Sequence, residues 1–99
     1  MALMRPDDIL KRPLDQLELP EGIRQTPMAE RIRYALRYAA KSHFRMVTVE
    51  DMCRKSAEQL TRRYARIGPK TVKILEEAVR PMGLKIGMTP DEIDRYRKG

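Results

Sequence analysis

Three helix starts in this chain place proline second: Thr26-Pro27, Gly68-Pro69 and Thr89-Pro90. Proline holds φ in the helical range and has no amide to leave unpaired in a first turn, so each pair marks where a helix begins. A proline also prevents an upstream helix from running through it. The chain is thereby cut into short helices, and no stretch shows the period-two alternation of a half-buried strand. The pattern predicts an all-α fold, a compact bundle of four to five short helices.

Caps and apolar spacing locate them. A long helix is expected over residues 27–42, with Met28, Ile32, Ala35, Leu36 and Ala39 inward at helical spacing and the Thr26 side chain accepting from its free amides. Thr48, followed by Glu50 and Asp51, caps a short second helix with Val49, Met52 and Cys53 inward. Ser56 and Gln59 form a capping box that opens a third through Leu60 and Tyr64. After Ile67-Gly68-Pro69-Lys70-Thr71, a tight turn built on an obligatory glycine, Val72, Leu75, Ala78 and Val79 mark a fourth core-facing helix, which Pro81 and Gly83 stop. Thr89-Pro90-Asp91-Glu92 caps the last. The organisation expected is an irregular N-terminal arm over 1–25, a helical domain over 26–88 and a short C-terminal helix or tail over 89–99.

Composition excludes several classes. A chain of 99 residues is one domain, with no room for a large enzyme. Cys53 and His43 are the only residues of their types, too few for an internal disulfide or the four ligands of a structural zinc. No apolar run approaches the roughly 18 residues of a membrane span, and Asp7 and Asp8 stand where a signal peptide would be apolar. A soluble, cytoplasmic protein with no membrane partner is expected. Ser42 and Ser56 have no base nearby in sequence, Glu76 and Glu77 point to different helix faces, and no glycine-rich loop is present to cradle phosphates. The expectation is a protein that is not an enzyme, with no cofactor and no small-molecule substrate.

Charge is placed unevenly around a net +7. Residues 1–23 are acidic on balance, whereas the only acid over 24–45 is Glu30 and the only acid over 54–73 is Glu58, amid Arg54, Lys55, Arg62, Arg63, Arg66, Lys70 and Lys73. Two basic segments suit a surface that tracks a phosphate backbone, although ordinary solvated helix faces read the same way. Within the first basic segment, Arg31, Tyr34, Tyr38 and Lys41 form one helical stripe beside the apolar face. An arginine there can enter a narrow minor groove, and the phenols can reach sugar or phosphate. The competing and favoured reading of Tyr34 and Tyr38 is structural, half-buried at the core edge. Cys53 reads as a small buried apolar residue, His43 as a helix-end cation, and Met28, Met46, Met52, Met82 and Met88 as core filler.

The turn Ile67-Gly68-Pro69-Lys70-Thr71 between two helices resembles a helix-hairpin-helix motif, in which amides at the start of the second helix hold a DNA phosphate. Lys70 and Thr71, in that first turn, add a cation and a hydroxyl, and Lys73 lies one turn on. A second glycine usual around such a turn is replaced by Pro69.

The order of short signatures extends the likeness. Asp8-Ile9-Leu10, Arg12-Pro13-Leu14, Leu17-Glu18-Leu19, a basic helix, Val49-Glu50-Asp51-Met52, Leu60, the Ile67–Thr71 turn and Gly83-Leu84-Lys85-Ile86-Gly87-Met88 follow one another as in the C-terminal domain of the bacterial RNA polymerase alpha subunit. The chain resembles that domain over about residues 7–88. The resemblance implies a helical module that binds the minor groove of A/T-rich DNA upstream of promoters and touches transcription regulators. It puts the principal DNA-contacting arginine at Arg31, with Arg24 and Arg33 as alternatives, an asparagine position at Tyr34, and the hairpin glycine, lysine and serine at Gly68, Lys70 and Thr71. Tyr34, Ile74 where a glutamate is expected, and a longer first helix depart from the family pattern. The chain starts a few residues before the family-like arm, so a free-standing relative is expected rather than the subunit itself.

Two functions follow as expectations. One is a DNA-binding module acting in transcription on double-stranded DNA through Arg31, Arg33, Tyr34, Gly68, Lys70, Thr71 and Lys73. The other is a protein-interaction mimic of that polymerase domain, binding RNA polymerase parts or transcription regulators.

Overall fold

Leucines at positions 10, 14, 17 and 19 are spaced too irregularly for one helix, yet all four are at most 1% exposed. They are buried because residues 5–25 wrap the bundle as two turns and a short helix. The computed structural model describes residues 5–99, so residues 1–4 of the expected arm lie outside the described residues. Within them α1 spans Pro6–Leu10, and 3-10 turns cover Leu14–Gln16 and Glu21–Ile23. The arm expected to be irregular therefore opens with a helix. Five residues are too few for a visible period, but Pro6 at the first turn and Asp7 and Asp8 against the positive end of the helix dipole favour it.

The later helices are α2 (Pro27–Lys41), α3 (Val49–Cys53), α4 (Ala57–Arg63), α5 (Pro69–Val79) and α6 (Pro90–Lys98), with a 3-10 turn at Arg80–Met82. The fold is all-α, with six helices among the described residues where four to five were expected. Capping boxes close the starts of α3 through Thr48 and Asp51, α4 through Ser56 and Gln59, and α6 through Thr89 and Glu92. Thr26 departs from expectation. Its hydroxyl donates to the Ile23 carbonyl at 2.7 Å, closing the preceding 3-10 turn, and accepts from no amide of α2.

One apolar cluster joins every element. Ile32, Leu36 and Ala39 of α2, Met52 and Cys53 of α3, Leu60 of α4, Leu75 and Val79 of α5 and Ile93 of α6 share it with the arm leucines. The Cα radius of gyration, 12.9 Å, matches the roughly 13 Å of a single compact domain of this length. Pro13 and Thr48 form an isolated antiparallel bridge, flanked by bonds from Leu14 N to Val47 O at 2.9 Å and from Val49 N to Arg12 O at 3.0 Å, which pin the arm beside the start of α3. The closing segment turns at Gly83 (φ 80°) and Gly87 (φ 86°), where L side chains are strained, and the amides of Gly87 and Met88 donate to the Cys53 carbonyl at 3.0 and 2.7 Å. Among the described residues no helix is long and apolar enough to cross a membrane.

Candidate functional site

On α2 the buried residues Ala29, Ile32, Ala35, Leu36 and Ala39 take one face, leaving the basic and aromatic residues outside. Arg31 and Arg33 are two residues, about 200°, apart around the helix and so lie on opposite edges of that outer surface. Arg33 is turned toward the arm, its guanidinium donating to the Asp15 carbonyl at 2.6 Å. Arg31 faces the turn between α4 and α5. A groove there is lined by Pro27, Glu30, Arg31, Tyr34, Ala65 and Arg66. The structure thus brings Arg31 and Tyr34 together and separates Arg33 from them.

Tyr34 and Tyr38 are 53% and 56% exposed, so the expected half-burial at the core edge is not what the fold adopts. The apolar stripe of α2 is satisfied by alanines and two large aliphatics, which leaves both rings on the solvent side. They stack with centroids 6.4 Å apart and planes 29° from parallel. The Arg66 guanidinium carbon stands 5.0 Å from the Tyr34 centroid and 4.9 Å from that of Tyr38, within cation–π range of both. Sequence reasoning missed Arg66 as a partner of these tyrosines, because their contact crosses from α2 to the α4–α5 turn and no local spacing signals it.

Gly68 is the N-cap of α5 with φ −100° and ψ 179°, extended backbone that any residue adopts. A Cβ built there meets nothing within 4 Å. The glycine expected to be obligatory for the turn is therefore not required by backbone conformation or local crowding; its lack of a side chain leaves the approach to α5 open. Of the six α-helices in the described residues, α5 alone has neither a capping side chain nor an acid in its first turn. The first amide bonded across the turn is Val72 N, to Gly68 O at 3.0 Å, so the amides of Lys70 and Thr71 point out of the helix start at the positive end of its dipole. Lys70 and Lys73 are exposed three residues apart and Thr71 is half-buried at the edge. Ile74, the apolar departure, is packed against the core.

The residues weighed for catalysis are engaged structurally. Ser42 Oγ donates to Ala39 O at 2.8 Å and Ser56 Oγ accepts from Gln59 N at 3.1 Å. Cys53 is fully buried, and burial, assisted by the negative charge of Glu50, pushes its thiol up to about 12. His43 is exposed beyond the end of α2, edge-on to Phe44. Among the described residues no cluster of His, Cys, Asp and Glu could hold a metal ion.

No family model, curated protein or solved structure matches this chain.

Proposed function

We propose that this chain is a non-enzymatic, cytoplasmic DNA-binding module of the kind its sequence resembles, the C-terminal domain of the RNA polymerase alpha subunit, acting in transcription. Duplex phosphate is held at the start of α5 by the outward amides of Lys70 and Thr71, with the Lys70 ammonium and Thr71 hydroxyl adding to the same anion, in the manner of a helix-hairpin-helix. Arg31, at the groove between α2 and the turn, reaches the minor groove of A/T-rich DNA, and Lys73 adds charge alongside. The observation that carries this reading is the uncapped, acid-free start of α5, where the other α-helices among the described residues start with a capping side chain or an acid. The exposed rings of Tyr34, Tyr38 and Phe44 support a second reading, a surface for polymerase parts or transcription regulators.

Gly68→Val tests the phosphate site without changing charge. Because φ is extended and the Cβ position is open, the variant is expected to fold, with helicity and melting checked first. It should lose duplex binding. A folded variant that binds duplex DNA as well as the parent overturns the α5 assignment. Arg31→Ala should cost ~1–3 kcal/mol on A/T-rich duplex and erase preference over G/C-rich duplex, while Arg80→Ala, exposed beyond the other end of α5, should cost far less.

A further inference from the structure

Every large apolar side chain that the described residues expose is aromatic and comes from α2 or the loop that follows it: Tyr34, Tyr38 and Phe44. The remaining described tyrosines turn their hydroxyls to backbone carbonyls, Tyr64 donating to that of Phe44 and Tyr96 to that of Met82 at 2.7 Å. Each exposed ring has an arginine over it. Arg63, the last residue of α4, stands 4.7 Å from the Phe44 centroid, and Arg66, in the turn that follows α4, covers Tyr34 and Tyr38. We propose that this row of arginine-covered rings, Tyr34 and Tyr38 on α2 beside Phe44 on the following loop, binds single-stranded nucleic acid with its unpaired bases stacked on the rings.

The charges around the row are those a phosphate chain needs. Arg31, Arg37, Lys41, Arg63 and Arg66 have no carboxylate within ion-pair distance among the described residues, while Arg24, Arg54 and Arg62 each have one and Arg97 has three. A second hollow, lined by Tyr34, Arg37, Tyr38 and Lys41, lies along α2 from the groove that Arg31, Tyr34 and Arg66 share. The tyrosine pair therefore sits between two cation-lined hollows, with Glu30 the one acid lining either. Aromatic platforms flanked by cations are the general means of gripping single strands, because every base offers a π-face and every linkage a negative charge. A duplex keeps its bases stacked on one another and has no face to offer these rings.

The row is fixed before any ligand arrives. The loop carrying Phe44 is tied to α2 by Ser42 Oγ and Met46 N, both donating to Ala39 O at 2.8 and 3.1 Å, and to the end of α4 by the Tyr64 hydroxyl. Burial raises the Tyr64 phenol above its ordinary value, so it keeps the proton it donates. A preformed platform loses little conformational freedom on binding.

The inference goes beyond duplex binding and does not depend on the start of α5, so two variants of the full chain separate them. The probes are a short oligothymidylate, an A/T-rich duplex and polyglutamate. The chain has no Trp, so its tyrosines report directly. Oligothymidylate should quench tyrosine fluorescence, and Tyr34→Leu with Tyr38→Leu should weaken its binding by roughly 5- to 150-fold per stacked base lost, while Tyr34→Phe with Tyr38→Phe retains it. Gly68→Val should leave oligothymidylate binding intact while losing the duplex. The proposal is overturned if saturating oligothymidylate leaves the fluorescence unchanged, a result that needs no variant. It is equally overturned if the leucine pair binds like the parent, or if polyglutamate binds as tightly, which would assign the row to an acidic protein partner.

Discussion

Arg97 Nε donates to Asp7 Oδ1 at 3.0 Å, fastening the last helix to the first. The same guanidinium reaches Glu50 on α3 through Nη2, and Glu50 in turn pairs with Arg54 at 2.7 Å. One side chain near the end of the chain thus ties together three helices that are far apart in sequence. The Asp7 carboxyl is held below its ordinary value first by Lys11, at 2.9 Å, and then by Arg97.

Arg97→Leu should therefore lower the melting temperature, and the loss should shrink at about 1 M salt, where screening acts within about 3 Å and the network in the parent is itself weakened. Thermal melts of both chains at two salt concentrations check this; a loss that does not change with salt would mean that Arg97 acts through its aliphatic stem.

Leu17→Ala should cost ~2–5 kcal/mol, the range for a fully buried leucine, because Leu17 is 0% exposed within the shared core although it lies in the arm. Urea denaturation of the parent and variant measures it. A change under about 0.5 kcal/mol would show that the arm is dispensable for stability.

Most of the helical core was legible in the sequence. Capping boxes and i, i+4 spacing are local signals, and α3, α4, α5 and α6 begin where Thr48, Ser56, Gly68-Pro69 and Thr89 place them. Thr26 marks the start of α2 correctly, but its hydroxyl serves the turn before the helix, since a hydroxyl can donate backward as readily as it accepts forward. The burial of Leu14, Leu17 and Leu19 was not legible, because nothing periodic marks residues that reach the core from a 3-10 turn and extended segments. At the candidate site, Arg31, Tyr34 and Tyr38 were visible as a stripe. Their relation to Arg66 was not, since packing of the α4–α5 turn against α2 creates it.

Stability should fall as pH drops below about 4. Glu92 is pulled from 4.5 to about 2, chiefly by the Lys85 ammonium at 2.9 Å and then by the Thr89 amide at 3.0 Å. For Asp51, burial opposes ionisation, but bonds from the amides of Val47 and Thr48 and from the Thr48 hydroxyl, with the charge of Lys55, outweigh it and hold the carboxyl below its ordinary value. Both folded-state values are depressed, so the stability they contribute is full above the ordinary carboxylate range and is lost as pH falls through the native values. Denaturation midpoints measured down to about pH 2 should decline, less steeply in Glu92→Gln and Asp51→Asn. Identical slopes in parent and variants would contradict the assignment.

If Arg31, Lys70, Thr71 and Lys73 hold the phosphates of duplex DNA as proposed, the parent chain's affinity for an A/T-rich duplex should depend steeply on salt. With about four phosphates neutralised at ~0.9 counterions each, log affinity should fall against log salt with a slope near −3.6, and A/T-rich duplex should be preferred over G/C-rich. A flat salt response, or no duplex binding at low salt, would contradict the account.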